Sequence, residues 1–377
     1  MSNLNIFNKN LNNEVLQYFK NIYKQNITKK RILGFKEIRD ITSDELGMNL
    51  VSHEQSRILE AWFHDINSLM YLEDLFSNCF EEIIIHSPKL VQVYQSGNIS
   101  STHLSISMEE IFLSIEVLTL KERKNWNQGI PFVSFNSIIH KKSCRITVVH
   151  PATHGSRKGF KVFIRAIGNQ IIPLRSFVRN ESMSTIIKEL INKKENLLIS
   201  GSTGSGKTSL LTSLLSMIDE EHVIILEDTQ EINVKKDHFT YLLAAESKFY
   251  SLEKYTQYSL RMRPERIILG EMRGSEVIPF MLAMNNGHKG LMSSIHSINA
   301  RDGVERIALL FEMSIQNKSL SYSEVLKLIS QNINYVIHME NKKITEIIKV
   351  FGSDGERINF EYIYSENKYP CSEYKAR

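Results

Sequence analysis

The sequence predicts an α/β fold in which a domain built on a parallel-rich β-sheet follows a smaller α+β domain and a helical N-terminal segment. The first observation is a complete G-x-x-x-x-G-K-[ST] pattern at 201–208, between a short apolar segment and a helical one. The second is the order strand, loop, helix, which repeats after residue 181 and is typical of a parallel α/β sheet. The third is a change from helical periodicity before residue 60 to strand-like alternation near residue 82. We therefore expect four parts: 1–65, 66–168, a linker at 169–180, and 181–377.

The bulk composition is that of a globular protein of two or three domains. The chain has 377 residues, of which 42% are hydrophobic and 23% are charged. The net charge of +4 is small for this length, so we expect no direct binding of nucleic acid. Three widely spaced cysteines show no metal or disulfide pattern, which favours a cytoplasmic location. The chain opens without a signal-peptide pattern and has no apolar run of about 18 residues, so we expect contact with a membrane only at its surface.

The N-terminal segment carries an apolar stripe at helical spacing, followed by the basic run Lys29-Lys30-Arg31. The stripe consists of Val15, Leu16, Phe19, Ile22 and Tyr23. A basic amphipathic helix can lie on an anionic membrane surface. We favour the other interpretation, in which the stripe packs on the protein itself, because five apolar residues also form an ordinary core face.

The expected α+β domain begins with the end of a helical run over about 54–80. A turn at Ser87-Pro88 separates the first two strand-like segments, and a helix is expected over 106–120. The strand-like segments are 82–86, 90–94, 144–149 and 160–165, and a flexible basic loop is expected at 155–159.

The second domain is expected to begin with a helix over 185–192, capped by Ser182 or Ser184. Short apolar segments after it have the length and composition of buried parallel strands. They are 196–200, 223–226, 266–269, 291–295 and 335–337.

The 201–208 segment predicts a phosphate-binding loop, because its three glycines let the backbone curl around an anion. Backbone N–H groups and the following helix N-terminus attract a phosphate. We expect Lys207 to reach the β- and γ-phosphates of a nucleotide and the Thr208 hydroxyl to bind Mg²⁺. The alternative is a Gly/Ser-rich turn before an ordinary helix. The expected binding residues are Gly201, Ser202, Thr203, Gly204, Ser205, Gly206, Lys207 and Thr208.

Two carboxylates, Glu227 and Glu271, each follow an apolar strand of the predicted sheet. Ligands of open α/β sheets bind beyond the carboxyl ends of the strands, so both acids are expected to face the same crevice as Lys207. Transfer of a phosphoryl group to water needs a held Mg²⁺ ion and an oriented water, and two acids can share these tasks. Either acid alone could instead be a helix cap.

His296 follows a further apolar strand and is a candidate to sense the γ-phosphate or to hydrogen-bond the attacking water; alternatively it is structural. Four arginines surround the Glu271 strand: Arg261, Arg263, Arg266 and Arg273. Guanidinium groups there can stabilise phosphate charge or pair with neighbouring acids.

Taken together, these residues resemble the type II/type IV secretion ATPases, which are hexameric RecA-like motors, and the resemblance covers about residues 70–360. Residues 201–208 resemble the Walker A motif of that family, and 225–229 its aspartate box. Residues 260–274 resemble its arginine-rich lead into a Walker B motif that ends in Gly-Glu, and His296 its histidine box. The segment 260–266 and the Asn-Ala-Arg-Asp after His296 look most like the type IV traffic ATPases and tight-adherence pilus ATPases. Ser297-Ile298 departs from the Ala-Asn or Thr-Asn that is commoner in the histidine box.

The resemblance implies ATP and Mg²⁺ as cofactors, with the ion at Thr208 and Glu271, and a homohexamer. It further implies that Arg145 and Arg165 match strand-borne arginines that reach the nucleotide phosphates, although either could be an exposed strand charge. The implied partners are inner-membrane secretion or pilus components, with the protein at the cytoplasmic face of the bacterial inner membrane.

Three functions are consistent with these residues: a Mg²⁺-dependent ATPase that powers secretion or pilus assembly, a RecA-like nucleic-acid motor, and a regulatory nucleotide-binding module. The small net charge and the absence of an aromatic stacking stripe count against the second. The presence of both Glu227 and Glu271 counts against the third. The sequence therefore favours the first, without identifying the cargo.

Overall fold

The structure is a computed structural model of the whole chain, and it describes residues 2–47, 53–95, 97–154, 159–168, 171–244, 250–315 and 320–366. By its internal contacts the chain divides into two compact units, Met1–Ile167 and Gly168–Arg377. The boundaries that we expect for the four parts of the chain stay predictions. Most of the basic loop expected at 155–159 lies outside the described residues.

The first unit combines helices with a six-stranded antiparallel sheet. Its helices are α1 (Ser2–Thr28), α2 (Phe35–Leu46), α3 (His53–Ser68), α4 (Glu73–Ser77) and α5 (Met108–Lys121). Its strands are β1 (Glu82–Ser87), β2 (Leu90–Gln95), β3 (Asn98–Thr102), β4 (Phe132–Ile139), β5 (Lys142–Val149) and β6 (Lys161–Ala166). The strand order is β3-β2-β1-β6-β5-β4, and the residues of β1, β5 and β6 that face the core alternate with exposed or half-buried ones.

The N-terminal helices pack within this unit through the predicted apolar stripe. Phe19 and Tyr23 of α1 are fully buried, and their rings meet Trp62 of α3 edge-on, with ring centroids 6.0 and 5.8 Å apart. The same cluster includes Leu113 and Val117 of α5. The stripe therefore belongs to the protein core, as in the interpretation in which it packs on the protein itself.

One carboxylate joins three of these helices. Glu110 lies in the first turn of α5, where it forms a capping box with Ser107. Its Oε1 accepts hydrogen bonds from Lys20 Nζ of α1 at 2.6 Å and from Trp62 Nε1 of α3 at 2.7 Å. Burial raises the pKa of Glu110, but the hydrogen bonds from Lys20, Ser107 and Trp62 outweigh it and hold the pKa at about 2.

The second unit is an α/β domain. Its helices are α6 (Glu181–Asn192), α7 (Lys207–Ser216), α8 (Leu252–Ser259), α9 (Val277–Asn285), α10 (Ala300–Ser314) and α11 (Tyr322–Asn332). Its strands are β7 (Leu197–Gly201), β8 (Val223–Glu227), β9 (Phe239–Leu243), β10 (Arg266–Leu269), β11 (Met292–Ile295), β12 (Tyr335–Glu340), β13 (Lys343–Ser353) and β14 (Ile358–Ser365).

The eight strands of this unit form one sheet in the order β14-β13-β12-β7-β11-β10-β8-β9. The six strands from β12 to β9 are parallel, and β13 and β14 extend the sheet as antiparallel strands. Helices α9, α10 and α11 contribute to the core on one face, and α6 and α7 to the core on the other. Every residue of β7, β8, β10 and β11 is buried, as parallel strands covered on both faces require.

Two local expectations differ from the structure. The helical run over 54–80 is broken at Leu69, whose φ of 55° lies in the left-handed region, and α4 begins only at Glu73. Helix α6 begins at Glu181, and its cap is the Asn180 side chain, which accepts from Met183 N–H, instead of Ser182 or Ser184. Within the part of the chain that the structure describes, no helix is both long and apolar enough to cross a membrane.

Candidate active site

The phosphate-binding loop joins β7 to α7 at the carboxyl edge of the parallel sheet. Gly201 and Gly206 have φ of 151° and 98°, which favour glycine. A Cβ on Gly201 would lie 2.5 Å from the Met339 carbonyl oxygen and 2.6 Å from Ser205 Oγ, so no larger residue fits there. No described side chain caps α7, and its first turn contains no acid. The N–H groups and the positive end of the helix dipole are therefore available to an anion.

The Lys207 side chain folds back over this loop and is buried. Its Nζ donates hydrogen bonds to the carbonyl oxygens of Gly201 and Ser202, both at 2.9 Å. The ammonium group thus already lies inside the loop, at the position from which it can meet a phosphate held by the loop amides.

The Thr208 hydroxyl is connected to the acid at the end of β8 through Glu231. Thr208 Oγ1 donates to Glu231 Oε2 at 3.1 Å. Glu227 Oε1 in turn accepts from the backbone N–H groups of Glu231 and Ile232, at 2.9 and 3.0 Å. Burial raises the pKa of Glu227 to about 8, with the charges of Glu231 and Asp228 adding to the effect. Glu227 is therefore largely protonated at neutral pH in this arrangement.

The second acid, Glu271, is held by Arg273. Arg273 Nε donates to Glu271 Oε2 at 2.8 Å, Nη2 makes a shorter contact with the same oxygen, and Nη1 donates to Asp228 Oδ2 at 2.9 Å. The buried Glu276 carboxylate fixes this turn, because its Oε1 accepts from the N–H groups of Arg273 and Gly274 at 2.6 and 2.7 Å. One guanidinium thus links the acidic segments that follow β8 and β10.

His296, the residue that follows β11, completes the group. Its Nε2 lies 2.9 Å from Glu271 Oε1. Burial and the nearby Lys207 ammonium lower the pKa of His296, although Glu271 raises it. Among the described residues Glu271 Oε1 has no hydrogen-bond partner, so His296 lies beside this carboxylate without a hydrogen bond to it.

Most of these side chains line an open cleft at the carboxyl edge of the sheet. Its lining residues are Thr208, Glu227, Asp228, Thr229, Glu231, Gly270, Glu271 and Arg273. The structure thus brings together the ends of β7, β8, β10 and β11, where the sequence places Lys207, Glu227, Glu271 and His296.

The arginines divide into four groups. Arg273 lies at the cleft. Arg266, at the start of β10, is buried and pairs with Glu221 at 2.8 Å, so it matches the interpretation in which an arginine pairs with a neighbouring acid. Arg261 and Arg263 are exposed. Arg145 and Arg165 belong to the first unit, where they are register partners on β5 and β6, and their expected contact with phosphate stays a prediction.

The oxygen donors of the cleft suit Mg²⁺, which takes hard oxygen ligands and is commonly held by one or two carboxylates together with substrate phosphates. The Thr208 hydroxyl and the carboxylates of Glu231 and Glu271 supply such donors. Across the described ranges no group of three or more His, Cys, Asp or Glu forms a metal cage. The donor set therefore fits an ion whose coordination is completed by phosphate and water.

Glu231 is the residue that the sequence reasoning missed. It follows Glu227 by four positions, in a segment without helix or strand, and spacing alone gave it no role. The signal available was a second acid shortly after the strand that ends in Glu227. Because the chain turns back after that strand, both acids lie at the same edge of the sheet.

The fold and this site define a nucleotide-binding protein of the P-loop class with a RecA-like sheet. Residues 111–371, more than two thirds of the chain, match the family described as "Type II/IV secretion system protein". The chain belongs to this family, and the resemblance seen in its motifs is confirmed.

Curated relatives come from conjugation and secretion systems. The chain is 28% identical over 199 residues to the probable conjugal transfer protein TrbB of Sinorhizobium fredii, covering 50% of this chain and 59% of that protein. It is 32% identical over 163 residues to the protein VirB11 of Rhizobium radiobacter, covering 42% of this chain and 48% of that protein. The chain thus spans about half the length of the curated relatives it matches.

Two solved structures share the fold of this chain. The pilus retraction motor PilT with bound ADP aligns with a TM-score of 0.55 and 18% identity, over 78% of this chain and 81% of its own. The ATPase DotB of Yersinia pseudotuberculosis aligns with a TM-score of 0.54 and 17% identity, over 80% of this chain and 78% of its own. At these identities the likeness establishes the fold.

Proposed function

We propose that this protein is a Mg²⁺-dependent ATPase that releases phosphate from ATP. The observation that carries the proposal is the convergence on one cleft of Thr208, the residue after Lys207, with Glu227, Glu231 and Glu271. Phosphoryl transfer needs a phosphate cradle, donors for a Mg²⁺ ion and a carboxylate near the attacking water. All three requirements have a candidate residue in this cleft.

In this mechanism the backbone amides of the loop bind the terminal phosphates, and Lys207 exchanges the carbonyls of Gly201 and Ser202 for phosphate oxygens. Thr208 and Glu271, with Glu231 beside Thr208, would hold Mg²⁺. When bound, the ion neutralises the charge that develops between the β- and γ-phosphates. Arg273 keeps Glu271 oriented, and His296 lies beside the same carboxylate. Both Glu227 and Glu271 remain candidates to accept the proton of the attacking water, but Glu227, which holds a proton at neutral pH in this arrangement, can do so only after it has lost that proton.

The relatives support a role for this activity in type IV secretion or in the assembly of a related pilus. VirB11 and TrbB bear the names of type IV secretion and conjugal transfer proteins, and PilT is named a motor. On this proposal the chain works as a homohexamer together with secretion or pilus components of the inner membrane. In that ring Arg145 and Arg165 supply charge to bound phosphate when the subunits close.

The proposed location is the cytoplasmic face of the inner membrane, with contact only at the surface. One feature that supports surface contact is the exposed run Lys29, Lys30 and Arg31 at the end of α1. Lys30 Nζ donates to Asn125 Oδ1 at 3.2 Å, which brings this run next to exposed Arg123 and Lys124. A cluster of this charge is attracted to anionic lipid.

The decisive test is Lys207→Ala, assayed by phosphate release and by binding of a fluorescent ATP analogue. We expect turnover to fall by at least about 100-fold while the protein stays folded, because Lys207 contributes charge toward phosphate. Lys188→Ala, which removes an exposed lysine from α6, is the matched control and should keep wild-type turnover. Wild-type turnover in a folded Lys207→Ala variant would exclude this loop as the site.

The two acids are tested by Glu227→Gln and Glu271→Gln. Each amide keeps the shape of the side chain but can neither carry the charge of Glu271 nor exchange the proton of Glu227, so ATP binding should persist while hydrolysis slows by about 100-fold or more. Normal hydrolysis in both variants would mean that the reaction takes place elsewhere.

The ring is tested by measuring sedimentation and ATPase activity over a dilution series. Specific activity should fall as the ring dissociates. Arg145→Ala and Arg165→Ala should lower turnover although both residues are distant in sequence from the loop. A monomer with full activity that is independent of concentration would refute the hexamer.

A further inference from the structure

A row of buried polar side chains crosses the apolar sheet directly beneath the phosphate-binding loop. Ser200 on β7, His338 on β12 and Glu346 on β13 are register neighbours on three adjacent strands. Ser200 is fully buried, and His338 and Glu346 are 2% and 9% exposed. Leu198, Val336 and Ile348, two residues away on each strand, belong to the core on the α10 face of the sheet. Because side chains alternate along a strand, the polar row faces α10 as well.

The first contact in this row lies at the foot of the loop. Ser200 Oγ and His338 Nδ1 are 2.8 Å apart and form a hydrogen bond. Ser200 immediately precedes Gly201, whose carbonyl oxygen accepts from Lys207 Nζ. A buried hydroxyl needs a partner, since an unpaired one costs about 1–3 kcal/mol. His338 supplies that partner and thereby fixes the end of β7 where the loop begins.

The second contact connects the row to the segment that carries His296. Glu346 Oε2 accepts a hydrogen bond from the N–H of Ala300 at 2.9 Å. Ala300 is the first residue of α10 and follows His296 by four positions. Strands β12 and β13 thus hold both the loop, through His338, and the start of α10, through Glu346.

The turn between these two strands also touches the loop. Lys342 N–H donates to the Ser205 carbonyl oxygen at 3.1 Å. The Met339 carbonyl oxygen occupies the space in which a Cβ on Gly201 would lie. The residue next to His338 therefore sets the closest approach of the loop to the sheet.

The charges near His338 come from three elements. Glu340 Oε1 on its own strand lies 3.5 Å from His338 Nε2, Glu346 lies opposite on β13, and Lys207 approaches from the start of α7. Burial and Lys207 lower the pKa of His338, while Glu346 and Glu340 raise it, and the net direction is down. The imidazole is therefore neutral at neutral pH and can share a single proton with Ser200.

We propose that His338 is a positioning residue for nucleotide binding, which holds the phosphate-binding loop in register with the His296 segment through Ser200. The inference rests on the proposed ATPase function and adds to it a residue that lies outside the cleft. His338 touches neither the phosphates nor the reacting water, so its effect is transmitted by the loop.

The test compares His338→Leu with His338→Asn in the full-length protein, using a fluorescent ATP analogue for Kd and phosphate release for KM and kcat. Leucine cannot pair with Ser200, so Kd and KM should rise about tenfold while kcat changes less than threefold. Asparagine retains a polar atom near the Nδ1 position and should restore most of the affinity. Ile337→Val, a buried neighbour on the other face of β12, controls for loss of packing and should lower the melting temperature without changing Kd.

Ser200→Ala provides the second arm and decides the question if His338→Leu does not fold. It should weaken binding as His338→Leu does, and the double variant should be no weaker than either single one, because both remove the same bond. Ser330→Ala, which removes a buried hydroxyl of α11, should leave binding unchanged. Wild-type affinity in folded His338→Leu or Ser200→Ala would overturn the inference, whereas a wild-type protein that fails to bind the analogue would overturn the proposed function itself.

Discussion

The buried acid at the end of β8 makes the stability of the second unit depend on pH. Glu227 is 6% exposed, and burial raises its pKa from 4.5 to about 8. The unfolded chain loses this proton near pH 4.5, whereas the folded protein retains it until about pH 8. Between these values the unfolded state binds fewer protons, so the free energy of unfolding falls by about 1.4 kcal/mol per pH unit. Between pH 4.5 and pH 8 the free energy of unfolding falls by up to about 5 kcal/mol in total because of Glu227. The fall is complete at pH 8, and there is none below pH 4.5.

Glu227→Gln removes the titration and keeps an oxygen that can accept from the N–H groups of Glu231 and Ile232. In nucleotide-free protein we expect the variant to exceed wild type by about 2–5 kcal/mol in unfolding free energy at pH 8.5, and by less than about 1 kcal/mol at pH 5. Denaturant unfolding at the two pH values measures this difference. Glu220→Gln, which changes an exposed acid in the same unit, should show no such trend. A Glu227→Gln effect of equal size at both pH values would refute the reasoning.

Two further predictions concern stability. Glu110→Gln should destabilise the first unit by about 1–3 kcal/mol at pH 7, because the hydrogen bonds that lower the pKa of Glu110 stabilise its carboxylate form. This contribution is present above pH 4.5 and is lost as the pH falls toward 2. Denaturation and limited proteolysis of α1–α3 will measure it. Arg266→Met should cost about 1–3 kcal/mol in thermal or denaturant unfolding, because it removes the hydrogen bonds of the buried guanidinium to Glu221 and leaves that half-buried carboxylate paired with Lys194. Folded Arg266→Met should bind ATP normally, and a selective loss of binding would contradict its placement away from the cleft.

The strands that the sequence predicts are mostly the buried ones. The cores of β7, β8, β10, β11 and β12 appear as short apolar runs because both faces of each strand are covered. The missed strands include the four edges of the two sheets: β3, β4, β9 and β14. Edge strands meet solvent, so their side chains carry weaker alternation, as the mostly exposed residues of β3 illustrate.

The residues of the site could be predicted where the local backbone conformation and a fixed spacing require a particular residue type. Gly201 and Gly206 need conformations that favour glycine, and Lys207 and Thr208 follow them at a fixed spacing. Glu231 and the Arg273 bridge depend instead on how the segments after β8 and β10 fold back toward each other. No local pattern specifies those paths, so the contacts appear only in three dimensions.

The arginines on either side of β10 show why strand direction decides function here. Arg266 begins the strand and Arg273 follows its end, and the four residues of β10 alone span about 13 Å at the usual rise. At the amino end, Glu221 and the Ile191 carbonyl bind the Arg266 guanidinium, and Gly290 leaves room for it, since a Cβ there would lie 2.8 Å from Nη1. At the carboxyl end, Arg273 lies between Asp228 and Glu271, where the parallel strands present their acids. An arginine therefore stabilises the sheet at one edge and organises the cleft at the other. The edge on which each arginine lies decides which of the two roles it has.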